Sequence, residues 1–117
     1  MVISSITVEP TVEDSQTAIW YVYLIETQCG LLYTGSTTAP RRRFRQHSGE
    51  LRGGAKFLKA HKPREFKAVF KVSDKSAALK LEWKIKRLSR PQKLNLIASH
   101  CIDDIQLTCA LRELSLP

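Results

Sequence analysis

Long apolar runs and paired cysteines are both missing from this chain of 117 residues. No apolar stretch approaches the roughly 20 residues that a transmembrane helix needs. The first 16 residues contain no basic residue and no continuous apolar segment, so we do not expect a secretory signal. The three cysteines are widely spaced and form no C-x-x-C pair, which excludes a zinc-ribbon or zinc-finger pattern. Unpaired cysteines fit a reducing cytoplasm, which is the expected location.

Acidic residues are scarce in the middle of the chain. Eighteen of the 19 Lys and Arg, but only four of the 11 Asp and Glu, lie between Arg41 and Lys93. This window therefore carries a formal charge of +14, against +8 for the whole chain. A positive field concentrated in this way attracts a polyanion, and each phosphate that is neutralised releases condensed counterions. We therefore expect a nucleic-acid partner; the alternative is a charged surface that only keeps a small protein dissolved.

The pattern along the chain predicts a small α/β domain in which a three-stranded antiparallel sheet is flanked by helices. We divide the chain into a flexible extension (1–17), the domain (18–100) and a C-terminal helical extension (101–117). Alternating or β-branched and aromatic residues predict the strands, which are 19–26, 31–34 and 66–72. A turn containing Gly30 at positive φ joins the first two strands, and Gly35 is expected to end the second.

Four helices are predicted from apolar spacing and from residues that cap helix ends. The first is capped by Thr37 or Thr38 and ends near residue 48, and the second is capped by Ser73 or Asp74 and ends near residue 88. The third covers about 89–99, and a last helix is expected to open at 103–104. Between the first helix and the third strand, residues 49–62 are predicted to form a basic loop.

Two short tyrosine motifs, followed by an Arg helix and a Glu helix, resemble the GIY-YIG endonuclease superfamily. The first motif is Tyr21–Tyr23 (YVY) and the second is Tyr33–Gly35 (YTG). PRRRFRQH is similar to the superfamily's arginine-bearing helix, and DKSAALKLEWKIKRLSRPQK is similar to its glutamate-bearing helix. The resemblance covers about residues 20–97 and is strongest to a small, single-domain, uncharacterised branch. It implies hydrolysis of DNA phosphodiester bonds with one divalent ion, Mg²⁺ or Mn²⁺.

Glu82 and Arg43 match the superfamily's metal ligand and phosphate clamp. Glu82 sits at the edge of an apolar helical stripe, where a carboxylate is costly without a partner or a cation. The alternative for Glu82 is an ion pair with Lys86 at i,i+4 spacing. A planar guanidinium such as that of Arg43 can hold two phosphate oxygens, and Arg42 takes this role if the register slips by one.

The other site residues that the resemblance implies are His47, Tyr33 and Tyr23. His47 lies four residues after Arg43, hence on the same helical face, and is expected to help to polarise the site. Tyr33 is expected to act as the base or to position the water, with Tyr23 in support. Ordinary packing is the alternative for all three.

A further group of cations is expected to hold the DNA backbone: Arg42, Arg45, Arg52, Lys56, Lys59 and Lys62. Phosphate contacts do not read sequence, so selectivity is expected to depend on DNA structure or on a protein partner. RNA is left open as a substrate, and a role in repair or recombination follows from analogy alone.

Two departures from the superfamily pattern favour a second interpretation. Ser36 stands where some nuclease members have lysine, and Phe57 stands where close relatives often have tyrosine. The rival function is a non-catalytic nucleic-acid-binding module, and a third is a domain whose basic face binds an acidic protein.

Overall fold

The α/β class is confirmed, but the sheet has four strands rather than the three predicted. The computed structural model describes residues 18–114 and 116, so the extension predicted at 1–17 lies outside it. The elements are β1 (Trp20–Thr27), β2 (Leu32–Thr37), α1 (Pro40–His47), α2 (Lys56–Ala60), β3 (Pro63–Val72), α3 (Lys75–Lys86), α4 (Arg90–Ser99), β4 (Cys101–Ile102), β5 (Ile105–Gln106) and β6 (Thr108–Cys109). The sheet order is β2-β1-β3-β6, and β4 pairs separately with β5. Within the described ranges, no helix is long and apolar enough to cross a bilayer.

The hairpin of β1 and β2 aligns the two tyrosine motifs. The strands are antiparallel, with Tyr23 opposite Gly35 and Ile25 opposite Tyr33. The turn before β2 has Gly30 at φ +88°, as predicted, a conformation that costs glycine little. Gly35 does not end β2, which continues to Thr37, so that prediction is wrong. Because directly opposite residues point to the same side, both motif tyrosines lie on one face of the sheet.

The sheet separates two apolar clusters. On one face, Val22 and Leu24 pack with the apolar stripe of α3 and with Leu96 of α4. On the other face, Tyr21 and Tyr23 pack with Leu58 of α2, among others. Alternation along β1 therefore sends the tyrosines toward α1 and α2 and the aliphatic residues toward α3 and α4.

Of the two predicted helix caps, the one at Asp74 is present and the one before α1 is wrong. The Asp74 carboxylate accepts a hydrogen bond from the amide three residues later, and Ser89 begins α4 with a capping box. The N-cap residue of α1 is Ala39, whose side chain cannot cap the helix. The Thr37 hydroxyl accepts a hydrogen bond from the Ala39 amide at 3.0 Å, one residue before the helix starts. Neither Thr37 nor Thr38 caps α1, because Pro40 at the start of α1 sets the helix end one residue later.

The predicted basic loop at 49–62 contains a short helix, α2. This five-residue helix buries Leu58 completely against the tyrosine face. A single turn has too few residues to show helical periodicity, which is why the pattern did not reveal it. β3 also begins at Pro63, three residues earlier than predicted.

The helix predicted to open at Asp103–Asp104 does not form. Instead, these two residues occupy the turn of the β4–β5 hairpin, in which Ile102 pairs with Ile105. Both have positive φ, +52° and +63°, as the two central residues of a type I′ turn require. β6 then pairs with β3 and adds the fourth strand, with Cys109 opposite Phe70. An Asp pair suits a helix cap and a left-handed turn equally well. The sequence pattern therefore could not distinguish the two, and the predicted helix start was wrong.

The turn assignment predicts opposite effects for two substitutions at Asp104. Asp104→Gly should preserve or raise stability, since glycine adopts positive φ without strain. Asp104→Pro should lower the free energy of unfolding by about 1–3 kcal/mol, since proline cannot adopt φ near +63°. Urea denaturation monitored by circular dichroism measures both. A proline variant as stable as wild type would contradict the hairpin and favour a helix start.

Candidate active site

Tyr23 is buried beneath the second tyrosine motif, and its ring lies across Gly35. Only 1% of Tyr23 is exposed. A methyl group added at Gly35 would lie 2.6 Å from the Tyr23 Cζ atom, closer than real carbon contacts allow. Glycine in the interior of a strand commonly marks a close approach of this kind. Gly35 therefore provides the space that positions the Tyr23 hydroxyl.

His47, at the end of α1, is hydrogen-bonded to the Tyr23 hydroxyl. Its Nε2 atom lies 2.8 Å from Tyr23 Oη, and its Nδ1 atom accepts the Ala55 amide N–H at 3.1 Å. An Nδ1 atom that accepts a hydrogen bond carries no proton, so the neutral ring carries its proton on Nε2 and donates to Tyr23. The Tyr23 O–H is then free to donate to a further group.

The loop that supplies the Ala55 amide can reach His47 because of Gly54. A Cβ atom at Gly54 would lie 2.8 Å from the carbonyl carbon of Gln46 and 2.9 Å from His47 Cα. Any side chain there would push the loop away from α1. Gly54 is therefore a structural requirement of the Ala55–His47–Tyr23 chain of hydrogen bonds.

Burial and neighbouring charges fix the protonation states of this chain. Burial, and then the Arg43 charge, lower the pKa of His47 from 6.5 to about 4, so the imidazole is neutral at neutral pH. Burial raises the pKa of Tyr23 well above its usual value, and negative charge on Tyr33 and Glu82 adds to this rise, while Arg43 opposes it. Tyr23 is therefore a hydrogen-bond donor rather than a base.

Arg43 is held by two hydrogen bonds. Its Nη1 atom donates to Gln46 Oε1 and to the Gly53 carbonyl, each at 2.8 Å. Among residues 18–114, no carboxylate pairs with it. Arg43 thus brings a fixed positive charge to the site, and its neighbour Arg42 is more exposed.

Glu82 reaches the site from the opposite face of the sheet. Ser36 donates to Glu82 Oε1 at 2.6 Å, and Lys86 pairs with Oε2 at 2.7 Å. Ser36 lies opposite Val22, so it points toward α3, and the Glu82 side chain is 17% exposed. The i,i+4 pair with Lys86 that the sequence suggested is therefore present.

A groove joins the two sides at the edge strand β2. It has a volume of about 330 Å³ and is lined by Trp20, Ser36, Thr37, Thr38, Ala39, Arg42, Arg43 and Gln46. One lining residue, Ser36, is hydrogen-bonded to Glu82. Another, Arg43, carries the positive charge that lowers the pKa of His47 and opposes the rise in the pKa of Tyr23. Residues from both faces of the sheet thus open onto one cleft.

Tyr33 lies between the buried pair and the protein surface. Its ring centroid is 6.3 Å from that of Tyr23 and 5.5 Å from that of His47. Phe57 stacks on its outer side at 5.9 Å, with an angle of 19° between the rings. Phe57 therefore covers Tyr33 with an apolar ring.

The donors at Glu82 suit a hard divalent cation that keeps most of its water. Within the described residues, no group of three or more His, Cys, Asp or Glu converges on one point. One carboxylate and the Ser36 hydroxyl are oxygen donors, and Mg²⁺ is commonly bound through one or two carboxylates plus water and substrate phosphate. A cation at Glu82 would take the place of the Lys86 ammonium.

The predicted backbone-binding cations lie along α1 and the loop that follows it. All six are exposed: Arg42, Arg45, Arg52, Lys56, Lys59 and Lys62. Arg45 pairs with Glu50 at 3.2 Å, and in the described part of the chain the other five have no carboxylate partner. The other two histidines pack elsewhere: His61 lies against Phe57, and His100 lies against Phe70.

Three supporting contacts were not identified from the sequence. Ser36 donates a hydrogen bond to Glu82, and Gln46 accepts one from Arg43 and so orients it. The Ala55 amide donates to His47 Nδ1 and so sets the tautomer of His47. A signal existed only for the last, because the Gly53–Gly54 pair suggests a close backbone approach. The other two contacts depend on tertiary structure.

Comparisons with known proteins match the region that forms this site. The family model of the GIY-YIG catalytic domain matches residues 19–95. The UPF0213 protein SG0387 of Sodalis glossinidius (strain morsitans) is 41% identical over 81 residues, which are 69% of this chain and 74% of that protein. A UPF0213 protein of Yersinia pestis (strain Pestoides F) is 43% identical over 82 residues, 68% of this chain and 82% of that protein. The solution NMR structure of the UPF0213 protein BH0048 from Bacillus halodurans has 30% identity and a TM-score of 0.44, over 68% of this chain and 83% of that one.

The low pKa of His47 predicts a specific loss of stability in acid. Between pH 6.5 and about 4, the unfolded chain binds a proton at His47 that the folded chain does not. The free energy of unfolding should therefore fall as the pH falls through this range. His47→Gln removes this contribution, so wild type should lose stability more steeply than the variant in urea titrations across the range. Parallel pH profiles would contradict a buried, neutral His47.

Proposed function

The chain belongs to the GIY-YIG family, and on that premise we propose that it is a metal-dependent endonuclease that hydrolyses phosphodiester bonds of DNA. One observation carries the proposal. Residues from opposite faces of the sheet line a single groove: Arg43 on one side, and on the other Ser36, whose hydroxyl donates a hydrogen bond to Glu82. A packing role alone would not require a cation without a carboxylate partner and a carboxylate to meet at one strand edge.

Arg43 binds the scissile phosphate in this proposal. Its Nη1 atom is already held by Gln46 and Gly53, so little rotational freedom is lost when a phosphate binds. The remaining N–H groups of the guanidinium can donate to two phosphate oxygens. Because the charge is fixed before the reaction, it stabilises the negative charge that develops on the phosphate.

Tyr23 and Tyr33 have different tasks. The pKa of Tyr23 is raised and its side chain is buried, so it keeps its proton and supports the site as a hydrogen-bond donor. His47 is assigned a positioning role, because it is buried and holds the Tyr23 oxygen through Nε2–H. Tyr33, nearer the surface, orients the attacking water or accepts its proton.

Glu82, with Ser36, would hold the divalent ion, Mg²⁺ or Mn²⁺. GIY-YIG nucleases generally use divalent metal ions, and the oxygen donors here fit one. When bound, the ion supplies positive charge to the phosphate and to the departing oxygen. The Glu82 carboxylate is held by Ser36 and Lys86, so its orientation is set before any ion arrives.

The exposed cations of α1 and the loop after it bind the DNA backbone. Five of the six have no carboxylate partner in the described residues, so their charges are available to phosphates. Such contacts position DNA without reading bases, which favours selectivity for DNA structure or for a site chosen by a protein partner. A cytoplasmic role in repair or recombination is consistent with this substrate and with the three free cysteines.

The rival proposal is a binding module without catalysis. One observation favours it: both oxygens of Glu82 already have partners, Ser36 and Lys86, so the carboxylate is satisfied without an ion. In that case the Glu82–Lys86 pair is a structural salt bridge and the basic surface still binds nucleic acid.

Cleavage assays with matched variants decide between the two. Wild type should nick supercoiled plasmid and cut branched DNA when Mg²⁺ or Mn²⁺ is added. Glu82→Gln and Arg43→Ala should each lower the rate by at least about 100-fold, the scale for losing one preorganised electrostatic group. Glutamine keeps the size of Glu82 and can still accept from Ser36, so folding should persist.

The controls change similar charges away from the groove. Glu113→Gln removes an exposed carboxylate that pairs with Lys71, and Arg64→Ala removes an exposed arginine that pairs with Glu26. Both should cleave at the wild-type rate. Salt-sensitive binding by every protein, with no cleavage by any, would reject the nuclease and support the binding module.

A further inference from the structure

The outer face of α3 displays a tryptophan that the core does not use. Trp83 is 62% exposed, and the Arg87 guanidinium carbon lies 4.7 Å from the centre of its ring. Trp83, Leu79, Lys80 and Lys84 line a shallow groove of about 450 Å³. An exposed aromatic ring beside another exposed apolar side chain is a feature of interaction surfaces.

The helix itself fixes this exposure. The buried residues of α3 are Ala78, Leu81 and Ile85, which form a single stripe. Trp83 lies on the opposite side of the helix from this stripe, since successive residues turn by about 100°. Its orientation therefore follows from the packing of α3 and not from a flexible loop.

The tryptophan adjoins the proposed metal ligand. Glu82 directly precedes Trp83, and Lys86, which pairs with Glu82, lies one turn beyond. Residues three apart are neighbours on a helix surface, so Lys86 is adjacent to Trp83 on α3 as well as paired with Glu82. A nucleotide next to the phosphate at Glu82 would thus be close to Trp83.

The positive charges around the Trp83 ring favour a nucleic acid over an apolar peptide as its binding partner. Lys80 and Arg87 have no carboxylate partner among the described residues, while Lys84 pairs with Asp103 at 3.0 Å. An apolar peptide would have to desolvate these cations, whereas a nucleic acid offers phosphates to the cations and a base to the ring.

We propose that Trp83, supported by Arg87, stacks on an unpaired base of the DNA beside the scissile phosphate. The enzyme then acts on DNA with a single-stranded segment, such as a flap, fork or gap. Base–aromatic stacking tolerates every sequence because each base has a π face. This proposal rests on the DNA substrate proposed above and names its structural class.

The test measures binding without cleavage, in EDTA. Fluorescein-labelled single-stranded DNA, a blunt duplex of the same sequence and a forked duplex are titrated with wild type and variants. Trp83→Ala should weaken binding to the single strand and the fork by about 5- to 150-fold, the range for one stacked base, and leave the blunt duplex unchanged. Trp83→Phe should retain much of the binding. Leu94→Ala, at another exposed apolar residue (45%), is the matched control and should bind like wild type.

Fluorescence gives a direct readout of contact. The chain has two tryptophans, so the difference in emission between wild type and Trp83→Phe reports on Trp83. The single strand should quench it, and the blunt duplex should not. Unchanged binding by Trp83→Ala, or equal losses on all three DNAs, would overturn the stacking proposal, and the former would favour a protein partner for this face. Because no cleavage is measured, quenching by the single strand would stand even if the nuclease assay failed.

Discussion

The hydrogen bond from His47 to Tyr23 is the interaction on which the rest of the site depends. It links α1 to β1 across the tyrosine face, at a distance of 2.8 Å. It requires a neutral imidazole, which burial and Arg43 ensure by lowering the pKa of His47, and it requires the Ala55 amide at Nδ1. The contact also depends on two glycines: Gly54 lets the loop that carries the Ala55 amide approach α1, and Gly35 leaves room for the phenol ring of Tyr23. Two glycines thus determine the orientation of one hydroxyl.

The second constraint is the position of the site at the edge of a sheet rather than on one face. Tyrosine and arginine come from the side of α1, while Glu82 comes from the side of α3. Only at β2, where the sheet ends, can both sides reach one groove. A largely buried carboxylate such as Glu82 is unfavourable without partners, and Ser36 and Lys86 provide them. The Ser36 hydroxyl and the Lys86 ammonium therefore fix the orientation of the Glu82 carboxylate within the folded protein.

The parts of this site that could be predicted are those encoded locally. The spacing of Arg43 and His47 on one helix, and the position of Glu82 on another, follow from helical periodicity, while their roles were implied by the resemblance to the GIY-YIG superfamily. The Ser36–Glu82 contact joins residues 46 apart in sequence, so no local pattern could indicate it. The β4–β5 hairpin was missed because Asp103 and Asp104 suit a helix cap as well as a left-handed turn, and tertiary pairing decided between them.

The central claim is that a neutral His47, protonated on Nε2, holds Tyr23 in place. Long-range ¹⁵N–¹H NMR of histidine-labelled protein at neutral pH identifies the tautomer directly. The structure predicts that the His47 proton is on Nε2 and that Nδ1 has the chemical shift of a hydrogen-bond acceptor. A proton on Nδ1, or a cationic ring, would place an N–H group against the Ala55 amide and contradict this arrangement.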